Sequence, residues 1–493
     1  MFEEINIPGL QQNANLPTKA QMDALSNWIV VSPVKKNLHD LPYSDVYINR
    51  QKNQDSKDIN DSVMNLDLPN SKQSHVSLVA IEEKKATFKL LTLAKSLYKT
   101  HIDYKTSNIG IVVHGFSDAE KLRIAESLIA AIATANIDLP NYQSKQEKQQ
   151  SIKSIKLFGI KHNSRFKQTL AEAEGNALAR SLSVMPSNKL TPADYVKIVK
   201  PMAKQNGWKF EFLDTVTLKK KKAGAFLAVA QGSPTQDAGI VKLTYTPKKP
   251  SRKGKIALVG KGICYDTGGT NLKPANYMFG MHEDMQGSAV ALGSLLALTR
   301  LNFNRPVECW LSLAMNHIGP KAYKPNDVIT ACDGTTIEIV HTDAEGRMIL
   351  SDTLALVSKG KPALIMDYAT LTGACIYSIG EAYSGVFTNQ KEWWQKLIEA
   401  GEQSGERVWP FPLDDDFDDM IKSDIADVKQ CSRESGVDHI LAARFLQRFV
   451  KNDTPWIHMD LSASTRKGGL AHIPTDTTGF GVRYTVNWLL DIV

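Results

Sequence analysis

In the second half of the chain, short apolar runs alternate with longer ones of helical period. GAFLAVAQG, GIVKLTYT, KIALVG, VECWLSLAMN, TTIEIV, ALIMDYATLTG and WIHMDLS read as buried strands, and SAVALGSLLALTRL, RMILSDTLALVSKG and DHILAARFLQRFV as helices. That alternation predicts an α/β fold with a mostly parallel sheet flanked by helices on both faces. In such sheets ligands gather beyond the carboxyl ends of the strands. The first third carries the same pattern more sparsely. HVSLVAI and NIGIVVHGF are strand-like, and DAEKLRIAESLIAAIATAN is a helix starting at a capping Asp118. The polar stretch from Asn49 to His75 predicts a surface loop or a frayed segment, and NYQSKQEKQQSIK a second polar insertion. The expected division is a smaller N-terminal α/β domain over residues 1–160, with its polar loop at about 48–75. A connecting helix follows over 161–183, and a larger C-terminal domain over 184–493.

At 493 residues, two or three domains can each bury a core, and 42% apolar with 23% charged residues is an ordinary globular composition. The net charge of +7 is partly local, in KKKK at Lys219 to Lys222 and in KKPSRKGK from Lys248 to Lys255. Both read as solvated loops or element ends, with a nucleic-acid role as the alternative. The five cysteines are widely spaced without a CxxC pair, which points to a reduced, cytoplasmic protein and not to a disulfide framework. The opening MFEEINIPGL lacks the basic and apolar regions of a signal peptide, no apolar run is long enough to span a membrane, and no HExxH zinc motif occurs.

Polar residues collect where the apolar runs end. IALVG leads into KGICYDTGGTNLKP, which places Lys261, Asp266 and Lys273 around a glycine-rich turn. MFGMHEDMQGSAV puts Asp284 ahead of a helix, and TTIEIV leads into HTDAEGRM with Asp343, Glu345 and Arg347. Each has a plain structural account: a tight turn at DTGG, a helix cap at Asp284, a capping box of Thr342 with Glu345. The set as a whole does not. Arg347 stands where the helix dipole favours an anion, and four acids near one sheet edge repel one another unless cations sit among them. Hard oxygen donors in that number suit a pair of divalent ions, and such a pair suits hydrolysis of a polarised carbonyl or phosphoryl group.

VGKGICYDTGGTNLKP, MHEDMQGSA and HTDAEGRMILSDTLA closely resemble the signatures of the leucyl (cytosol) aminopeptidases, two-metal hexameric exopeptidases. The resemblance continues through MDYATLTGA, VWPFPL, LAARFLQRFV and TTGFGVR and covers roughly residues 180 to 493. It implies that Asp266 and Glu345 bridge two divalent ions per subunit, manganese or zinc, with magnesium or cobalt as alternatives. Lys261 and Asp284 would complete the tighter site and Asp343 the more exchangeable one. Lys273 would face the scissile carbonyl, and Arg347 would hold a bicarbonate ion acting as general base. Met281, Thr370, Gly373 and Ser462 would border the pocket for the first side chain, leucine or another medium apolar residue. Lys261 is the assignment that physics alone does not suggest, because a lysine must lose its proton to bind a metal. Implied partners are peptides with a free N-terminus and further copies of the chain in a hexamer.

Two positions depart from the family pattern. His341 stands where asparagine is usual, and DLSASTRKGG replaces a run of small residues. The acidic run DDDFDD from Asp414 lacks the spacing of a calcium loop and reads as a solvated helix start. Two rival readings remain at this stage: a two-metal phosphoesterase, and an additional DNA-binding regulatory role, for which no recognition motif is present.

Overall fold

The computed structural model describes residues 5–492 except 35–37, 53–60, 103, 105, 146–150 and 435. The chain divides into two compact units. One runs to Glu174 and adds the segment Gly468–Asp476; the other holds Gly175–Lys467 and the chain from Thr477 onward. The passage between them falls inside a single helix, Arg165–Ser183.

The N-terminal unit is built on strands β1 (Gly9–Asn13), β2 (Asn27–Pro33), β3 (Met64–Asp67), β4 (His75–Ile81), β5 (Asn108–Val113) and β6 (Ser154–Phe158). Their order is β1-β6-β5-β2-β4-β3, parallel throughout except that β3 runs against β4. β2 and β4 are rich in Val and Ile and buried along nearly their whole length, as strands covered on both faces must be. The helix Asp118–Ala135 is capped by Ser117, whose hydroxyl accepts the Glu120 amide; Asp118 is its first full residue, not its cap. The polar stretch from Asn49 is also more ordered than expected. It finishes the helix Ser44–Lys52 and supplies β3, whose Met64 is buried. Its middle, 53–60, lies outside the described residues, as does 146–150 in the second insertion.

The larger unit contains β7 (Lys209–Asp214), β8 (Gly239–Tyr245), β9 (Ile256–Asp266), β10 (Val307–Asn316), β11 (Val328–Thr330), β12 (Thr336–Glu338), β13 (Leu364–Ala369), β14 (Ser384–Thr388), β15 (Val408–Pro410), β16 (Val428–Lys429) and β17 (Trp456–Asp460). Eight of these form one sheet, β15-β14-β17-β13-β9-β10-β8-β7. Its four central strands, β17, β13, β9 and β10, are parallel, and antiparallel neighbours join on each side. A small sheet β11-β12-β16 lies apart from it in the hydrogen-bond pattern.

Two expected strands are different. GAFLAVAQG forms the helix Gly224–Ala230. A short run of apolar residues, most of them buried, carries no periodicity that separates strand from helix, and its alanines favour the helix. Asp352 accepts the Phe226 amide at 2.8 Å and so satisfies one donor of its first turn. TTIEIV contributes only the three-residue β12, in the side sheet. The active-looking motif that follows it is therefore launched from a loop and not from the main sheet. DDDFDD begins a short 3-10 turn, Asp415–Ile421. The tetralysine run closes the helix Thr215–Lys220, where cations suit the dipole.

Candidate functional site

The carboxyl ends of β9, β10 and β13 meet the starts of two buried helices, Gln286–Arg300 and Glu345–Ser358. β9 runs for 11 residues, Ile256–Asp266, with two glycines in its middle. Gly260 and Gly262 let Ser288 and Leu313 come close, since a Cβ on Gly260 would sit 2.3 Å from the Ser288 Cα. Lys261 lies between these glycines, in the strand, and Asp266 ends it.

Six of the seven charged residues expected at one site come together. The Lys261 ammonium lies 2.7 Å from Asp284 Oδ1 and 2.8 Å from Glu345 Oε1, and donates to the Thr370 carbonyl at 2.8 Å. Lys273 lies 2.9 Å from Asp266 Oδ2 and 2.6 Å from Asp343 Oδ1. One carboxylate oxygen from each of Asp266, Asp343 and Glu345 falls within 4.8 Å of the others. The seventh, Arg347, has its two terminal nitrogens on Asp438, at 3.0 and 2.8 Å, and donates to the Gln430 carbonyl at 3.1 Å.

Burial of so much charge shifts its protonation. Burial raises the Asp284 carboxyl and Glu345 and Asp266 add to it, so it stays well above the carboxylate range although Lys261 opposes them. Asp343 is pushed up to about 7 by burial and by the Asp266 and Glu345 charges. Burial alone would lower both lysines, but the surrounding acids outweigh it and hold Lys261 and Lys273 above the usual lysine range. Two ammonium groups do not hold all four acids ionised, and the raised Asp284 and Asp343 carboxyls are the result.

The donor set fits divalent cations on a direct observation. Oδ2 of Asp284 and Oε2 of Glu345 are buried and accept no hydrogen bond. A buried carboxylate oxygen without a donor is costly, and a cation removes that cost. Hard oxygens in this number match a pair of divalent ions, which could then polarise a carbonyl and activate water.

The supporting residues were less visible in the sequence. Asn316, at the end of β10, donates to Asp266 Oδ1 at 2.8 Å and to the Thr342 carbonyl at 3.0 Å, tying two site segments together. Its only signal is a polar residue closing a wholly buried strand. Thr370 works through both ends: its carbonyl takes Lys261, and its hydroxyl donates to Asp284 at 2.7 Å. Gly346 makes room for the lysine, because a Cβ there would lie 2.8 Å from Lys261 Cδ and Cε. Of the other pocket candidates, Met281 opens a 3-10 turn after the left-handed Gly280, Gly373 starts the helix Gly373–Ile379, and Ser462 donates to the Tyr383 carbonyl at 2.8 Å.

The capping box of Thr342 and Glu345 does not form. Thr342 instead donates to the Gly268 carbonyl at 2.6 Å and accepts the Asn271 amide at 2.8 Å, which fastens the glycine turn to the following motif. Glu345 is thereby released for the cluster. His341 also gains an explanation: its Nδ1 accepts the Asp343 amide, at 3.3 Å, two residues ahead. An asparagine oxygen makes the same short bond in an Asx turn, so a neutral histidine can replace it. Burial and Lys273 lower the His341 pKa and favour that neutral form. His341→Asn is therefore expected to leave the melting temperature unchanged. His341→Ala should cost about 0.5 kcal/mol, measured by denaturant unfolding.

Comparison with known proteins places the chain in a family. Residues 177–486 match the catalytic domain of the cytosol aminopeptidase family. A probable cytosol aminopeptidase of Persephonella marina is 34% identical over 378 residues, covering 75% of this chain and 74% of the relative. One of Syntrophobacter fumaroxidans is 39% identical over 315 residues, covering 64% of this chain but only 62% of the relative's own length, less than two thirds. Among solved structures, a tomato leucine aminopeptidase mutant superposes with a TM-score of 0.85 at 25% identity, covering 99% of this chain and 98% of its own. A bottromycin maturation enzyme, BotP, in complex with Mn gives 0.79 at 27% identity, covering 94% and 99%.

Proposed function

Because the chain belongs to the cytosol aminopeptidase family, we propose that it is a metal-dependent aminopeptidase acting on peptides with a free N-terminus. The observation that carries this reading is the cluster of the buried Asp266 and Glu345 with the half-buried Asp343. Two divalent cations, manganese or zinc with magnesium or cobalt as alternatives, would supply Lewis-acid polarisation of the scissile carbonyl and a water of lowered pKa. Asp266, Asp284, Asp343, Glu345 and Lys261 would hold them. The nitrogen of Lys261 must give up a proton to take part, and Thr370 and Asp284 keep that nitrogen in place. Lys273 would present its ammonium to the carbonyl oxygen as negative charge develops there.

The hydroxyls of Thr370 and Ser462 are satisfied inside the protein, by Asp284 and the Tyr383 carbonyl. Together with Met281 and Gly373 they would form a pocket with no free polar group for the first side chain, which suits leucine. A homohexamer in the cytoplasm completes the proposal; five unpaired cysteines support a reducing compartment. The phosphoesterase reading is less well supported, since the terminal nitrogens of Arg347 are committed to Asp438.

The test is hydrolysis of leucyl p-nitroanilide by the purified chain. Activity is expected to rise on adding Mn²⁺ or Zn²⁺ and to vanish on chelation, with leucyl preferred to lysyl or glutamyl anilides. Activity that persists in chelator would overturn the metal-dependent reading.

A further inference from the structure

Arg347 is 2% exposed, and in so buried a place a guanidinium needs an anion. Its two terminal nitrogens form a flat fork that fits a planar O–C–O group. Bicarbonate has that group, and so does a carboxylate; the two compete for one seat. In this chain the seat is taken. Asp438 Oδ1 and Oδ2 lie 3.0 and 2.8 Å from the two nitrogens, and Gln430 fixes the guanidinium from another direction. Asp438 is also the first residue of the helix Asp438–Gln447, where a negative charge is favoured. Its side chain keeps about a third of its surface exposed, at 35%, so it faces open space as well as Arg347. His341 is acted on at once by the Lys273, Glu345, Arg347 and Asp438 charges, which places the Arg347–Asp438 pair on the His341 side of the carboxylate cluster. Burial pushes Asp438 up, but Arg347 outweighs it and keeps the carboxyl below the usual range.

Building on the aminopeptidase reading, we propose that Asp438 is the resident anion of Arg347, occupying the place that bicarbonate would fill and making the reaction independent of any added anion. In that place Asp438 Oδ would accept the proton released when water attacks the scissile carbonyl. It would then return that proton to the leaving amine nitrogen as the C–N bond breaks, so the proton count closes within the site.

Three measurements test this. Calorimetric titration of sodium bicarbonate into the metal-free wild-type chain should show no saturable binding, whereas Asp438→Ala, with the seat vacated, should bind it. In CO₂-free buffer the metal-loaded wild type should be as active as in added bicarbonate. Asp438→Ala should lose about 10²-fold in kcat with little change in KM and regain at least about tenfold on adding bicarbonate. Asp438→Asn, which keeps the seat filled without the charge, should lose activity and not be rescued. Saturable binding to the wild type, stimulation of the wild type by bicarbonate, or full activity of Asp438→Ala in CO₂-free buffer would each overturn the proposal, the last reducing Asp438 to a structural ion pair. The wild-type arms need no variant, so they decide the question even where Asp438→Ala folds poorly. Failure of the wild type to cleave any aminoacyl anilide would instead overturn the aminopeptidase reading, while the binding arm still locates the anion.

Discussion

Glu345→Ala is expected to abolish metal-supported hydrolysis of leucyl p-nitroanilide and to lower the bound metal measured by atomic emission. Glu345 is 1% exposed, one of its oxygens lies 2.8 Å from Lys261, and the other accepts no hydrogen bond. Removing it takes away a carboxylate of the proposed metal site and leaves Lys261 paired with Asp284 alone. The loss should exceed the roughly 10–100-fold typical of residues that merely orient a metal ligand. Folding should survive, because four mutually repelling acids become three; circular dichroism and the melting curve check this. Near-normal activity in a folded Glu345→Ala protein would end the two-metal assignment.

Gly287→Ala is expected to damage the fold itself. A Cβ at Gly287 would sit 2.1 Å from the Tyr368 carbonyl oxygen and 3.0 Å from the Lys261 amide nitrogen. These are backbone atoms of β13 and β9, the middle of the sheet, and they cannot swing aside as a side chain can. The helix Gln286–Arg300 would have to lift away, which costs about 3 kcal/mol or more in a close-packed interior. Asp284 lies three residues before Gly287 and would move with it, so metal content should fall together with the denaturation midpoint. An unchanged midpoint would show that the helix has slack which the close contacts deny.

The sequence made some parts of this molecule plain and hid others for physical reasons. β4 and β10 were legible because strands buried on both faces are continuous β-branched and apolar runs with sharp ends. GAFLAVAQG was misread because an all-apolar helix of seven residues, five of them buried, has no polar face to reveal its period. The charged cluster stood out because Lys261, Asp266, Asp284, Asp343 and Glu345 follow apolar runs, where solvated charge has no business. Asp438 did not stand out: it meets Arg347 across 91 residues, and one acid at a helix start is the commonest of caps. Thr342 and Glu345 fitted a capping box by spacing alone, and only the glycine turn at Gly268 shows that the threonine is used elsewhere.

The order of strands in the large sheet has a consequence for how the chain acquires this site. β13 is buried along all of Leu364–Ala369, and its two neighbours are β9, about a hundred residues earlier, and β17, about ninety later. Until Trp456–Asp460 has left the ribosome, the far edge of β13 has no strand to pair with. Pairing over such separations is slow, and an apolar strand edge held open meanwhile invites association with other nascent chains. Synthesis of the last quarter of this protein is therefore the interval in which a chaperone would do most for its yield, and truncation anywhere before β17 should give an insoluble product instead of a weak enzyme.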